Sequence, residues 1–371
     1  MRALIVKTSS LGDVIHTLPA VTDAARALPG IRFDWVVEEA FAEIPGWHPA
    51  VGEVLPVALR RWRTQPFAAA TRRAFRAFQE RLAATTYDLV IDAQGLLKSA
   101  WLARRARGPI HGLDRHSARE PLASFFYARR HAVPWGRHAV LRVRELFAAA
   151  FGYDLPAAAR GEDDGARAAD AAAYGLDRAR VLAGLPSPAP ARPRLVFLHG
   201  TTWPTKHWPE THWRQLAETT ARAGEEIRLP WGNDRERERA ERIADGIEYA
   251  QVLPKSTLAA LAAELIAASA CVAVDTGLGH LAAALDVPTL SLFGPTNPAF
   301  TGAWGWRQRR LASGIPCAPC LARKCNACDL LKPASTTELV RWARHAETPC
   351  LARLSPDIVR AALDAMLAGR G

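Results

Sequence analysis

The sequence predicts an α/β protein built as two doubly wound, Rossmann-like halves facing each other across a cleft. Three observations carry this prediction. Short runs rich in Val, Ile, Leu and Phe alternate with helix-length stretches. The alternation stops in an Ala-, Pro- and Arg-rich segment and then restarts. In both halves, apolar runs end in loops bearing glycine, hydroxyl or charged side chains, as strand ends do around a bound ligand. A length of 371 residues suits two domains rather than one core.

Taken in order, the runs 3–6, 33–37, 53–57 and 88–92 read as strands, with helices over 14–27 and 67–84 between them. Residues 156–193, which include Pro186-Ser-Pro-Ala-Pro190, carry little strand signal and read as a helix or two plus a linker. Strands resume at 195–199, 227–229, 271–275 and 289–293, with helices over 212–223 and 258–268. Residues 315–350 form an irregular, cysteine-containing region, and Ser355-Pro-Asp-Ile-Val opens a capped amphipathic helix. The expected domains are a Rossmann-like 1–165, a linker 166–193, a second Rossmann-like 194–354 and a terminal helix 355–371.

Hydrophobic residues make up 49% of the chain and charged residues 23%, which excludes disorder, collagen and a disulfide-stapled miniprotein. The N-terminus lacks the apolar stretch and small-residue cleavage site of a secretory signal. The longest apolar segment, residues 258–274, is interrupted by Glu264 and is short for a membrane span. A cytoplasmic protein is expected, with its six cysteines as thiols or metal ligands. The formal charge of +11 is uneven: residues 1–160 hold 23 Lys and Arg against 14 Asp and Glu, the remainder 25 against 23. One half therefore presents a cationic surface suited to nucleic acid, an anionic lipid headgroup or a nucleotide.

Three loops carry chemistry. The first is Lys7-Thr8-Ser9-Ser10-Leu11-Gly12-Asp13, expected to turn tightly at Gly12 into a helix beginning near Asp13. Asp13 suits a general base and equally an N-cap. In the second, Gly200-Thr201-Thr202 follows a strand and Lys206 comes four residues later. Backbone and hydroxyl donors with an ammonium suit a diphosphate, although the spacing is not that of a Walker loop. The third, Asp275-Thr276-Gly277-Leu278-Gly279-His280, ends an apolar strand and opens an Ala/Leu helix whose N-terminus can hold a phosphate. Here the alternative is an N-capping Asp275 and a core His280. Phe293-Gly294-Pro295-Thr296-Asn297-Pro298 ends the next strand on the same rim. Split across two halves, these loops point to a nucleotide-sugar site between them.

Arg60, Arg61 and Arg63 follow a strand end, and Lys7, Lys98 and Arg119 lie on other loops of the basic half; they form either a clamp for an anionic acceptor or a solvated charge run. Phe67, Thr71, Ala74, Phe75, Phe78 and Leu82 lie at helical spacing, a core stripe or an interfacial helix on a membrane. Cys317-x2-Cys320-x4-Cys325-x2-Cys328 has the paired knuckles of a structural zinc site, but its central loop is shorter than a zinc ribbon's, so a thiol-rich loop stands beside that reading.

The stretch Val6-Lys7-Thr8-Ser9-Ser10-Leu11-Gly12-Asp13-Val14-Ile15-His16-Thr17-Leu18-Pro19-Ala20, with Trp231-Gly232 and Asp275 to His280, closely resembles the lipopolysaccharide heptosyltransferases of glycosyltransferase family 9. Type I is favoured because type II enzymes usually open with a different loop. The resemblance covers nearly the whole chain and implies a GT-B fold with inverting, metal-independent transfer that needs no cofactor. It further implies ADP-heptose as donor and the first Kdo of Kdo2-lipid A as acceptor, at the cytoplasmic face of the inner membrane. On that resemblance Asp13 matches the general base. Thr201, Thr202, Lys206, Glu236, Asp275, Thr276, Gly277 and His280 fall in the donor site, with Lys206 also stabilising the leaving group. Ser256 stands where relatives can place a methionine beside the adenine, a departure from the pattern. The acceptor set drawn with it is Lys7, Ser10, Gly12, Arg60, Arg61, Arg63, Lys98 and Arg119.

A type II-like or other core heptosyltransferase and a sugar-nucleotide 2-epimerase are the neighbouring readings, but an epimerase needs no cationic acceptor surface. A nucleic-acid binder calls for aromatics interleaved with the basic residues, and Trp62 alone does not supply them. No nucleic-acid partner is expected.

Overall fold

In the computed structural model the described residues are 1–155, 174–185, 190–325 and 348–369. The chain divides into two compact units, residues 1–181 and 182–371.

Unit one is a parallel sheet of β1 (Arg2–Val6), β2 (Arg32–Glu38), β3 (Val51–Val57), β4 (Leu89–Asp92), β5 (Ile110–Leu113) and β6 (Arg129–His131), in the order β3-β2-β1-β4-β5-β6. Strand order reverses between β1 and β4, the place where open α/β sheets bind ligands beyond the strand ends. β1 is apolar from Ala3 to Val6 because helices cover both faces. Leu4, Val6, Val36 and Val90 pack with Phe78 and Leu82 of helix Ala69–Ala83 and Leu102 of helix Leu97–Ala103. On the other face, Phe33 meets the ring of Phe151 edge-on at 5.7 Å, on helix Ala139–Phe151. That helix is tied to Leu18–Ala27 by a buried bidentate pair, Arg144 to Asp23 at 2.6 and 2.8 Å.

Unit two repeats this topology strand for strand. β7 (Arg194–Leu198), β8 (Glu226–Leu229), β9 (Ala250–Val252), β10 (Ala270–Val274), β11 (Thr289–Phe293) and β12 (Gln308–Ala312) form a parallel sheet ordered β12-β11-β10-β7-β8-β9. Its switch point lies between β7 and β10. Phe197, Ile227, Val272 and Leu290 share a core with Trp208, Trp213 and, from the terminal helix Pro356–Ala368, Val359 and Leu363. Ser355 caps that helix, accepting from the Ile358 N–H at 3.3 Å.

Several local expectations need correction. The helix expected over 14–27 is two, Leu11–Ile15 and Leu18–Ala27, because the Pro19 ring would collide with the Ile15 carbonyl of a continuous helix. The first begins before Asp13: Ser10 is its N-cap and Asp13 sits at the third helical position, so Asp13 is not the N-cap. Gly12 lies inside that first turn and has no positive φ, so the tight turn is not its work. Thr276, not Asp275, occupies the N-cap position of Gly277–Ala284. Phe67 precedes helix Ala69–Ala83 and is 85% exposed, outside the buried stripe. Arg60, Arg61 and Arg63 lie on a helix, Leu59–Thr64, rather than a loop. The sequence does not mark β5, β6, β9 and β12: β6, β9 and β12 lie at sheet edges, where pairing with an inner strand decides the conformation, and β5 is only the four residues Ile-His-Gly-Leu. Residues 156–173 and 186–189 of the expected helix-and-linker stretch and 326–347 of the cysteine-containing tail lie outside the described residues. No helix among the described residues is long and apolar enough to cross a membrane.

Candidate active site

At the unit-one switch point, the loop after β1 is clamped by the loop after β4. The Gln94 carboxamide oxygen accepts from the Thr8 N–H at 2.7 Å and the Thr8 hydroxyl at 2.9 Å, and its amide donates to the Ser9 carbonyl at 2.7 Å. Ser10 follows, and both its N–H and its hydroxyl donate to Asp13 Oδ2 at 2.8 Å. Lys7 is buried, with Nζ donating to the Ala93 carbonyl at 2.9 Å. Burial works to raise the Asp13 carboxyl, yet the Lys7 ammonium, the two Ser10 bonds and the Arg119 guanidinium together hold it below the usual carboxylate range. Burial also lowers the Lys7 ammonium, against the pull of Asp13 and Asp92. Asp13 is therefore a carboxylate at neutral pH.

Beneath this loop, Asp92 accepts from Ser99 and Tyr127 hydroxyls at 2.8 Å each and from the Gln94 N–H at 2.9 Å. Sequence reasoning missed Gln94, Asp92 and Thr8. The signal available was the Gln94-Gly95 pair after β4, the second strand of the switch point. Of the basic set, Lys98 reaches Ser9 Oγ at 3.4 Å and Arg119 is exposed close enough to act on Asp13. Arg61 is occupied by Glu39 through two bonds of 3.1 and 2.9 Å, Arg60 lies over the Phe41 ring at 5.7 Å and Arg63 is exposed. Lys7 faces Asp13 from below rather than solvent.

At the unit-two switch point, Lys206 Nζ lies 2.6 Å from Asp275 Oδ2. The Thr296 hydroxyl donates to the same oxygen at 2.7 Å, and His280 Nε2 stands 4.0 Å from Oδ1. Thr201 Oγ1 donates to the Asp275 carbonyl at 3.1 Å, locking the β7 loop to the β10 loop. Lys206 also lies 4.5 Å above the Trp203 ring. Thr202 is exposed, and Gly277 opens the helix whose first N–H groups have no intrahelical acceptor. Glu236 accepts from the Gly232 N–H at 2.8 Å, and a Cβ at Gly200 would stand 2.8 Å from its carboxyl carbon. Glycine at 200 thus lets this carboxylate reach the end of β7. Ser256 is half-buried and donates to the Pro254 carbonyl at 2.8 Å. One cation, one anion-binding helix end, hydroxyls and a carboxylate after the second strand form a set suited to a nucleoside diphosphate.

Cys317 is half-buried and Cys320 and Cys325 are exposed, all free thiols, while Cys328 lies outside the described residues. Among the described residues no group of three or more His, Cys, Asp or Glu is arranged to hold a metal.

Two Rossmann-like units, each with a polar constellation at its switch point, make a GT-B-like α/β fold. Residues 75–330 match the profile of glycosyltransferase family 9 (heptosyltransferase). Lipopolysaccharide heptosyltransferase 1 of Pseudomonas aeruginosa is 58% identical over 368 residues, covering 99% of this chain and 98% of that protein. The structure of E. coli heptosyltransferase WaaC with ADP superposes with a TM-score of 0.81 at 45% identity, covering 99% of this chain and 100% of that one. By contrast, lipopolysaccharide heptosyltransferase 2 of Salmonella typhimurium is 33% identical over 132 residues, 33% of this chain and 38% of that protein. The chain belongs to glycosyltransferase family 9, the heptosyltransferases.

Proposed function

We propose that the chain transfers L-glycero-D-manno-heptose from ADP-heptose to the first Kdo of Kdo2-lipid A, as a peripheral protein on the cytoplasmic face of the inner membrane. It is a glycosyltransferase that moves heptose from ADP-heptose in lipopolysaccharide inner-core synthesis.

The observation that carries the donor reading is the ion pair of Lys206 with Asp275 at the switch point of unit two. Asp275, itself fixed by Thr296, aims the ammonium. Lys206, the Thr201 and Thr202 hydroxyls and the N–H groups at Gly277 take up charge as the bond between the anomeric carbon and the diphosphate breaks. Thr276 and His280 line the same loop, Glu236 accepts from the ribose hydroxyls, and Ser256 lies toward the base. Residues 194–354 are accordingly the donor domain and residues 1–165 the acceptor domain, joined through 166–193.

On the acceptor side, the attacking Kdo hydroxyl forms its bond to the anomeric carbon on the face opposite the departing ADP, and Asp13 takes its proton. A carboxylate held below its usual range is a weak base, so proton transfer comes late, after carbon–oxygen bond formation has made the hydroxyl acidic. Ser10 and Gly12 shape the loop around Asp13, and the exposed Arg119 and Arg63, with Lys98 beside Ser9, face the acceptor's carboxylates and phosphates. Arg61 joins them once an anion competes with Glu39, and Arg60 by swinging from the Phe41 ring.

Calorimetric titration with ADP, ADP-heptose and UDP-sugars in EDTA tests the donor side. Tight, adenine-selective binding is expected, followed by transfer to Kdo2-lipid A. Preference for uridine nucleotides, or transfer only to an acceptor already carrying heptose, overturns the proposal.

A further inference from the structure

The helices Ala69–Ala83 and Leu97–Ala103 cover one face of the unit-one sheet, and the 3-10 segment Pro121–Phe126 packs beside the second through Ala100 and Ala123. Around their outer surface stand large apolar side chains that the fold does not cover: Phe67 at 85% exposure, Phe125 at 70%, Leu122 at 59% and Trp101 at 40%. They are held rather than loose. The Trp101 ring stacks on Phe75 at 5.3 Å with 12° between planes, and the Arg105 guanidinium lies 4.5 Å from the same indole. Arg104 covers Phe126 at 5.6 Å.

The rim is cationic. Segments 69–83, 97–107 and 115–130 contain twelve Lys and Arg against two acids, Glu80 and Glu120. Glu120 is engaged by the Leu97 N–H at 2.7 Å. Arg72, Arg73 and Arg76 are exposed, off the buried stripe of their helix. In a parallel sheet these connecting helices run back from the strand ends, so each starts at the edge that carries Asp13. Lys98, at the start of the second, reaches Ser9 of the loop before Asp13.

We propose that this face of unit one docks on an anionic phospholipid bilayer, with Trp101, Leu122 and Phe125 entering the boundary between headgroups and acyl chains and the arginines engaging lipid phosphates. Two demands are met together: apolar side chains that lower their free energy by leaving water, and a rim on which cations outnumber acids, with Arg81 paired to Glu53 at 2.7 Å. A polynucleotide meets only the second demand. Trp101 already stacks on Phe75 and Arg105, which leaves little of its ring for a base. The inference deepens the membrane reading above, since a lipid-anchored acceptor presented to Asp13 requires the adjoining face to tolerate the bilayer.

The test is sedimentation of the full chain with phosphatidylcholine–phosphatidylglycerol vesicles, with phosphatidylcholine vesicles alone, and with a duplex RNA competitor. Binding to the anionic vesicles is expected, weakened by salt. The variant Trp101→Ser/Phe125→Ser should bind about tenfold more weakly, and Arg72→Gln/Arg73→Gln/Arg76→Gln about a hundredfold. Both should keep ADP affinity and transfer to a deacylated, water-soluble Kdo acceptor, which shows that they are folded. Failure of the wild type to sediment with anionic vesicles, variants that sediment as the wild type does, or displacement of the vesicles by RNA overturns the proposal. Transfer to the soluble acceptor without vesicle binding removes the docking face alone. Vesicle binding without transfer removes the acceptor reading and leaves the docking face standing.

Discussion

Replacing Lys7 by methionine tests how the base is held. Lys7 is buried under the loop that carries Asp13, and its charge is the largest of the influences that lower the Asp13 carboxyl. A neighbouring opposite charge shifts a carboxyl by roughly 1–3 units. With the Ser10 bonds and Arg119 still in place, loss of Lys7 removes the strongest lowering influence and leaves desolvation less opposed, so the Asp13 carboxyl should move up. The sign follows directly. In the wild type the carboxyl is held below its ordinary 3.8, so the basic form persists as pH falls through that value. In Lys7→Met the desolvation that already favours the protonated acid is opposed less, and the acidic limb of kcat/KM moves to higher pH. At neutral pH Asp13 stays ionised in both, so rates there should differ little through this route. The methionine fills the stem of the lysine but leaves the Ala93 carbonyl without its donor, about 1 kcal/mol, offset in part by removal of a buried charge. The assay is kcat/KM with saturating ADP-heptose across the acid range for both proteins, with circular dichroism at each pH to show that the chain remains folded. Superimposable profiles from two folded proteins would refute the reasoning.

The remaining predictions concern both switch points and the core. Asp13→Ala should reduce turnover by roughly a thousandfold or more while ADP affinity stays within a few-fold; calorimetry and a transfer assay check both, and retained turnover removes Asp13 from the base role. Lys206→Ala should weaken ADP binding and slow transfer together, since it removes the ammonium and leaves Asp275 without it; an unchanged ADP affinity counts against the diphosphate role. Gly200→Ala should raise the donor KM with little effect on the acceptor KM, because its Cβ would force the Glu236 carboxylate aside. Burial lowers the imidazoles of His48, His199 and His207 to about 4 each. These groups stay neutral in the fold and charge on unfolding, so thermal stability should fall as pH drops from 6.5 toward 4, and a midpoint flat across that window would contradict it.

The central strands were legible because they are buried on both sides: Ala3–Val6 and the apolar runs after residues 88, 194 and 270 read as strands without reference to any partner. Arg129–His131 and Gln308–Ala312 carry no such pattern, since an edge strand with polar residues is fixed by the neighbour it pairs with. The loops proposed to hold the donor were visible as motifs, but the pairing of Lys206 with Asp275, 69 positions later, depends on β7 and β10 lying side by side. Lys7 shows the limit most plainly. Sequence reports its charge and not its depth, so it was grouped with surface cations, whereas the fold turns it inward beneath Asp13. Gln94 was invisible for the same reason, because its partners lie about 85 residues earlier.

The ion pair of Lys206 with Asp275 has a consequence for the empty enzyme. A cation that already holds its counter-ion at 2.6 Å presents a dipole, not a bare charge, to the surrounding electrolyte. Chloride and inorganic phosphate must compete with a carboxylate that is part of the protein and is never diluted. A ligand that brings a diphosphate together with a ribose and a base gains contacts at several points at once and can recruit the ammonium without expelling Asp275. On the proposed donor role, the site is self-quenched toward the ionic background and responsive to a nucleotide, a discrimination set by ligand size and valency before any chemistry begins.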